Sequence, residues 1–213
     1  LAFTQLGMKK SNVMQDEHYQ DIGRKLGIEV TVYSNGEEKT GFVDSNSEYF
    51  NIINAARIKN ITIEEEYNTD MYSHDIDKNL LQILKDEVDS YKAAYGLVDF
   101  TDMIHDIVQQ PDKIPNFDVV FIDEAQDLSL MQWDMTRSIW NKTKDTFIAG
   151  DDDQAIFRWA GADVDSFIAL EGQYLPLTQS YRIPAKVHNL AMGIINKIRN
   201  RIDKTWEPRI SQG

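Results

Sequence analysis

Two short apolar runs, each ending abruptly at acidic residues, constrain the fold of this chain more than any other feature. Val119–Ile122 is followed directly by Asp123-Glu124, and Thr146–Ala149 is followed by Gly150 and three aspartates. Each run has the length of a strand and none of the polar alternation of a half-exposed one, so both are predicted to be buried strands. A helical pattern from Ser129 to about Asn141 lies between them. Strands that alternate with helices predict an α/β fold built on a parallel sheet with covered faces.

The rest of the chain is predicted to be largely helical. Apolar spacing predicts helices over residues 11–26, 48–58, 77–95 and from Pro184 to about Ile198. Residues 28–43 alternate around Asn35-Gly36, which indicates a hairpin, and Tyr174–Leu177 is predicted to be a third strand. The polar stretch 64–77 is expected to be a surface loop, with Glu64-Glu65-Glu66 on a solvated face.

Composition excludes several classes of protein. The absence of cysteine rules out disulfides and thiolate zinc sites. No apolar run approaches the ~20 residues of a membrane span, and the start has no signal-peptide pattern, so a cytoplasmic protein without membrane contact is expected. The formal net charge of −13 argues against a protein that coats nucleic acid by bulk charge, although residues 171–213 carry seven basic and three acidic side chains. Four of those bases could contact a DNA backbone, but a hydrated helix end is the favoured interpretation: Lys197, Arg199, Arg201 and Lys204.

Asp123 and Glu124 stand where the first predicted strand ends. Open α/β sheets bind ligands at the carboxyl ends of their strands. Two adjacent acids there suit phosphoryl chemistry, because one can hold Mg²⁺ while the next orients and deprotonates an attacking water. Acids that simply favour a helix N-terminus would give the same pattern, so the acids alone leave both interpretations open.

Amide, aromatic and basic residues follow the second and third predicted strands. Gln154 ends the acidic loop (residues 150–154) and offers a neutral amide to a phosphate or water, although three successive acids also fit a solvated turn. Phe157 and Trp159 flank an arginine, a pattern typical of proteins that bind single-stranded nucleic acid by stacking bases on aromatic rings, which contributes ~1–3 kcal/mol per base. The alternative interpretation is that both rings belong to the hydrophobic core. Tyr181 could stack on a base and Arg182 could pair with a phosphate, but a Tyr-Arg pair before a helix is often structural.

Taken together and in order, four blocks resemble the motifs of the UvrD/Rep/PcrA family of superfamily 1 DNA helicases. The blocks are Asp99–Asp102, Val120–Asp127, Gly150–Ala162 and Leu177–Arg182. The resemblance is closest over residues 97–190 and implies a partial RecA-like P-loop NTPase sheet with a mostly helical inserted subdomain. It implies that residues 1–96 hold the end of the motif Ia region and the helical insert, 97–176 the first motor domain with motifs II and III, and 177–213 motif IV and the start of a second RecA-like domain.

The resemblance implies a nucleotide site made of five residues. Asp123 would coordinate Mg²⁺, with Glu124 beside it in the metal site. Glu124 would also activate the hydrolytic water, and Gln154 would sense the γ-phosphate. Tyr181 would pack on the adenine of ATP, and Arg182 would act as an arginine finger.

The resemblance also implies how the protein uses this site, and the sequence departs from the family pattern at two points. Phe157 and Trp159 would stack on single-stranded or partly duplex DNA, so that ATP hydrolysis with Mg²⁺ drives a helicase or translocase in the 3′→5′ direction. Ala160 stands where the family commonly has Arg. No G-x-x-x-x-G-K-[ST] loop occurs in the 213 residues. We therefore expect an internal piece of a longer helicase, inactive by itself.

Two alternatives belong to other classes of protein. The missing lysine loop favours a non-catalytic helicase-like module that binds DNA or a partner. A metal-dependent nuclease could use Asp123, Glu124 and the three aspartates at 151–153, but it leaves the aromatic pair and the Tyr-Arg pair unexplained.

Overall fold

The chain forms two compact units. A computed structural model describes residues 2–30, 47–69, 71–72 and 75–210. The first unit contains Leu1–Phe121 and Ser129–Phe147, and the second contains Ile122–Leu128 and Ile148–Gly213. The hairpin turn expected at Asn35-Gly36 lies outside the described residues. None of the helices in the described ranges is long and apolar enough to cross a membrane.

The first unit is mostly helical. The helices predicted over 48–58 and 77–95 are found within one residue of those bounds, whereas the helix predicted over 11–26 begins only at Asp16. The longest has Asp77 as its N-cap, whose carboxylate accepts the N–H groups of Asn79 and Leu80, and it ends at Gly96 in the left-handed conformation (φ 61°). The described helices of this unit are α1 (Ala2–Gln5), α2 (Asp16–Leu26), α3 (Glu48–Lys59), α4 (Ile63–Tyr67), α5 (Lys78–Tyr95), α6 (Phe100–Gln109) and α7 (Leu130–Trp140).

Apolar side chains of these helices form two buried clusters. The larger lies among α2, α3 and α5 and includes Ile22, Phe50 and Leu84. The smaller contains Met103 and Ile107 of α6, against which side chains of α7 pack. Removal of this apolar surface from water is the main force that holds the helices together.

A buried ionic network joins α3, α5 and α6. Asp99 caps α6, and its carboxylate receives Arg57 of α3 at 2.6 Å and also Lys92 of α5. Lys92 lies 2.8 Å from Asp102, which the Arg57 guanidinium also contacts. Burial raises the pKa of Asp99, but the hydrogen bonds and charges of Arg57 and Lys92 outweigh it and hold that pKa well below its ordinary value.

Glu66 corrects one expectation from the sequence. Its side chain is fully buried on α4 and accepts hydrogen bonds from Lys59 Nζ at 2.7 and 2.8 Å and from the Tyr72 hydroxyl at 2.6 Å. The prediction that all three glutamates at 64–66 face solvent is therefore wrong for Glu66, and part of the predicted loop is helix. A buried carboxylate is tolerated here because a cation and a hydroxyl satisfy it.

Two parallel strands, β1 (Phe117–Ile122) and β2 (Thr143–Ile148), lie side by side with α7 between them in sequence. The two predicted strands and their crossover helix are therefore confirmed, but the prediction that both strands are buried is wrong, because neither contains a buried residue. One face is open, because Phe121 is 76% exposed and stacks on the exposed Phe147 at 5.1 Å between ring centroids. The expectation that both faces are covered is thus wrong for this face within the described residues. Apolar composition alone does not reveal which face has a packing partner.

The second unit has little regular structure. It contains α8 (Val164–Ile168) and α9 (Ala185–Ile195), so the helix predicted after Pro184 is confirmed, although it ends before Ile198. Its apolar residues, such as Leu190, are largely exposed. Tyr174–Leu177 is not a strand, which corrects the third-strand prediction. The nearby chain instead makes a single parallel bridge between Gln179 and Glu207.

Candidate functional site

The acidic end of β1 adopts an unusual backbone conformation. Glu124 has φ 51°, in the left-handed region that costs a residue with a side chain roughly 1–2 kcal/mol. The Asp123 carboxylate accepts the Glu124 N–H at 3.0 Å, and both acidic side chains are exposed. The backbone beyond them is bound to the end of β2, since Ala125 donates to the Ala149 carbonyl at 3.0 Å. The turn therefore presents two adjacent carboxylates at the end of a strand.

Gln126 connects this turn to the acidic loop. It is 1% exposed, and its Oε1 accepts the Asp151 N–H at 3.0 Å. Its Nε2 donates to Glu124 at 2.8 Å and to Asp127 at 3.3 Å. A primary amide can make such a bridge because it both donates and accepts. The sequence placed Gln126 inside a motif but indicated no role for it.

Gln154 is oriented by the loop that carries it. Asp151 Oδ2 accepts the Gln154 side-chain amide at 2.6 Å, while Asp151 Oδ1 accepts the Asp153 N–H at 3.2 Å. Gln154 is exposed, so its amide lies at the surface on a loop whose own hydrogen bonds fix its shape. The ends of both strands are thus joined by one set of hydrogen bonds that includes Glu124, Gln126 and Asp151.

Basic side chains from near the end of the chain neutralise the rest of the acidic loop. Arg201 binds Asp153 through two hydrogen bonds of 2.8 and 2.7 Å. Lys204 contacts all three aspartates at 151–153, and Asp152 also accepts the Ile202 N–H at 2.7 Å. Burial raises the pKa of Asp153, but the hydrogen bonds from Arg201 and Lys204 outweigh it and hold the pKa below its ordinary value. The expectation that Arg201 and Lys204 belong to a hydrated helix end is therefore wrong, because both side chains are only 14% exposed and bind acids.

Phe157 and Trp159 lie at the surface rather than in the core. Their ring centroids are 6.5 Å apart, and their exposed fractions are 43% and 61%. Arg158 between them forms a two-point ion pair with Asp165 at 3.0 and 3.1 Å. The core interpretation of the two rings is wrong, and Arg158 is already engaged within its own unit.

Tyr181 and Arg182 have fixed backbones and exposed side chains. Ser180 Oγ accepts the N–H of Arg182 at 3.3 Å and that of Ile183 at 3.0 Å. Tyr181 is 87% exposed. In the described part of the chain, no hydrogen bond or ion pair joins the side chain of Tyr181 or Arg182 to another residue, including Asp123, Glu124 and Gln154. All seven predicted site residues nevertheless belong to the second unit.

The donor set at Asp123 suits Mg²⁺. Over the described ranges, no group of three or more His, Cys, Asp or Glu could hold a metal by itself. Mg²⁺ is usually held by one or two carboxylates together with substrate phosphates and water, and it does not need a full protein cage. Asp123 uses Oδ1 for the Glu124 N–H, which leaves the second oxygen of this exposed carboxylate for such a contact. The residues present therefore fit the ion.

Comparison with known proteins decides the family. The UvrD/REP helicase N-terminal domain matches residues 3–175, most of the chain. The chain belongs to the UvrD/REP helicase family. Similar relatives include the ATP-dependent DNA helicase PcrA of Bacillus subtilis, 28% identical over 120 residues that cover 50% of this chain and 16% of the relative. DNA helicase II of Haemophilus influenzae is 28% identical over 137 residues, which cover 59% of this chain and 18% of the relative.

Two consequences follow from these matches. This UvrD/REP family chain spans less than a fifth of the length of the relatives it matches. The family match ends at residue 175, so Tyr181 and Arg182 lie beyond it.

Proposed function

We propose that this chain is the part of an ATP-dependent DNA helicase or translocase that joins ATP hydrolysis to movement along DNA. The observation that carries the proposal is the Gln126 bridge, which binds Glu124 and the acidic loop at the same time. An acid that activates water and a loop that senses phosphate must respond to each other in such a motor. One buried amide between them provides a direct physical connection.

Each residue has a definite task in this proposal. Asp123 holds Mg²⁺, which when bound supplies charge neutralisation for the phosphates. Glu124 orients the attacking water and accepts its proton, helped by a turn that places the carboxylate beyond the strand end. Gln154, held by Asp151, contacts the γ-phosphate. Arg182 donates to the phosphates as charge develops during transfer.

The remaining residues contact adenine and DNA. Tyr181 packs against the adenine ring, which its exposure permits. Phe157 and Trp159 stack on bases of single-stranded DNA, and their position three and five residues after Gln154 places them on the same stretch of backbone as the phosphate contact. We propose 3′→5′ movement on single-stranded or partly duplex DNA. In the corresponding domain assignment, residues 1–96 hold the end of the motif Ia region and the helical insert, residues 97–176 form the first motor domain, and residues 177–213 hold motif IV and the start of the second.

The test uses the full-length product of the gene that encodes this chain. Glu124→Gln is expected to lower DNA-stimulated ATP hydrolysis by ~100- to 10,000-fold, the range for loss of a general base, while ATP binding persists. Glu171→Gln changes an exposed glutamate of the same unit in the same way and is expected to retain activity. Hydrolysis in Glu124→Gln equal to that of the unaltered protein would refute the assignment of the base.

The same experiment separates the alternative of a non-catalytic DNA-binding module, which the missing G-x-x-x-x-G-K-[ST] loop favours. That module would bind single-stranded DNA but hydrolyse no ATP even in the unaltered full-length protein. A metal-dependent nuclease is disfavoured, because the charges of Asp152 and Asp153 are already paired with Lys204 and Arg201.

A further inference from the structure

The tail segment, residues 201–209, contacts two parts of the second unit that the proposed function uses for different purposes. Its first half binds the acidic loop through Arg201, Ile202 and Lys204, as described above. Its second half pairs with the backbone around Arg182. Glu207 donates to the Thr178 carbonyl at 2.7 Å and accepts the Ser180 N–H at 2.9 Å, and the Arg209 N–H donates to the Ile183 carbonyl at 2.8 Å.

Lys204 reaches Gln154 through a single intermediate residue. Its Nζ lies 3.0 Å from Asp151 Oδ1, and the other oxygen of that carboxylate accepts the Gln154 amide at 2.6 Å. Lys204 also contacts Asp152, and it lies 3.1 Å from Asp153. Three adjacent carboxylates repel one another, and an ammonium group among them offsets that repulsion and holds them together.

We propose that Lys204 is a positioning residue that fixes Gln154 through Asp151 and, through the tail segment, links Gln154 to the backbone that carries Arg182. The inference rests on the proposed function, since Gln154 and Arg182 have phosphate-contacting roles only there. It adds a residue outside the helicase motifs and outside the family match. In this arrangement, a shift of the Gln154 loop moves the Arg182 backbone because the tail segment is bonded to both.

Lys204→Met is expected to fold, but with lower stability, because the buried Asp152 loses its ammonium partner. Arg201 still binds Asp153 through two hydrogen bonds, and Ile202 still donates to Asp152. Lys204→Met keeps an unbranched, largely apolar side chain of similar length and removes the ammonium group. Asp151→Asn tests the same connection from the other side and leaves Lys204 with two carboxylate partners.

The experiment measures steady-state ATP hydrolysis by the full-length protein with saturating single-stranded DNA. For Lys204→Met we expect kcat to fall roughly 10- to 100-fold, the scale on which remote misplacement of a catalytic group acts, with KM for ATP changed less than about two-fold. Lys204→Arg keeps the charge and is expected to recover most of kcat. Lys186→Met, at an exposed lysine of the same unit, is the matched control and is expected to match the unaltered protein.

A double-mutant cycle and a structural readout complete the test. Because both residues act along one connection, Asp151→Asn combined with Lys204→Met is expected to be no slower than the slower single variant, and strictly multiplicative effects would overturn the inference. An unchanged kcat in Lys204→Met would overturn it too. In this 213-residue chain, the NMR resonances of the Gln154 side-chain amide are expected to shift in Lys204→Met but not in Lys186→Met. If the unaltered full-length protein hydrolyses no ATP, the proposed function fails, whereas the amide resonances still decide whether Lys204 positions Gln154.

Discussion

Gly150→Ala is expected to disturb the candidate site, because the added Cβ atom would clash with Gln126 and Phe167. A Cβ atom at Gly150 would lie 2.7 Å from Gln126 Oε1 and 2.9 Å from the ring of Phe167. Gln126 cannot move aside freely, because it is buried and the same oxygen accepts the Asp151 N–H. The backbone at Gly150 lies outside the left-handed region, so the substitution introduces crowding without backbone strain.

The expected loss of stability follows from three contributions. Overpacking a filled site costs about 1–3 kcal/mol. Weakening the buried Gln126–Asp151 hydrogen bond adds about 1 kcal/mol. Replacing glycine restricts the unfolded chain, which offsets roughly 0.4–1 kcal/mol. We therefore expect Gly150→Ala to lower the free energy of unfolding by about 1–3.5 kcal/mol.

Urea unfolding of the chain, monitored by amide hydrogen exchange within the second unit, measures this loss. A change of about 2 kcal/mol lowers the midpoint by about 1 M if the m-value is roughly 2 kcal/mol per molar. Gly193→Ala is the matched control: nothing lies within 4 Å of its added Cβ, and in α9 it is expected to stabilise by about 0.5–1 kcal/mol. If Gly150→Ala is as stable as the unaltered chain, the close packing of Gly150 on Gln126 is refuted.

Three further predictions concern stability and DNA binding. Because the pKa of Asp99 lies below its ordinary value, the stability that its carboxylate contributes is present above about pH 4 and is lost as the pH falls further. Asp99→Asn should therefore make the free energy of unfolding less dependent on pH in acid titrations. Near neutral pH the same substitution should lower that free energy by about 3–5 kcal/mol. The free energy of unfolding of Glu124→Gly should be about 1–2 kcal/mol higher than that of Glu124→Ala, because both remove the carboxylate but only glycine adopts φ 51° freely. Equal free energies of unfolding for the two variants would contradict backbone strain at this turn. Trp159→Ala in the full-length protein should weaken binding of a single-stranded oligonucleotide by roughly 5- to 150-fold in an anisotropy titration, the equivalent of ~1–3 kcal/mol, whereas the exposed Tyr174→Ala should not.

Local signals in the sequence predicted most of the elements. Asp77 and Gly96 mark both ends of α5, and Ser129 caps α7, because capping depends on residues within one helical turn. The third strand at Tyr174–Leu177 was predicted wrongly. An apolar run of four residues becomes a strand only where another strand pairs with its backbone, and this requirement is not local.

The sequence predicted which residues belong to the candidate site but not which hydrogen bonds connect them. The motifs placed Asp123, Glu124 and Gln154 at strand ends, and the structure agrees with those positions. The bridge through Gln126 was not predicted, since a glutamine beside acids is equally compatible with solvent exposure. One signal was available, because a neutral amide enclosed by three carboxylates in a short motif is suited to bridging them.

The sequence by itself determined the strand, helix and acid order of this UvrD/REP family chain, because periodicity, caps and motif spacing act over a few residues. Only the tertiary structure decided which acidic and basic side chains form ion pairs. Arg201 and Lys204 lie about fifty residues beyond the aspartates they bind, and Arg57 lies forty-two residues before Asp99. Any base can pair with any acid in a sequence, and burial selects the pairs, since an unpaired charge taken out of water is too costly to persist.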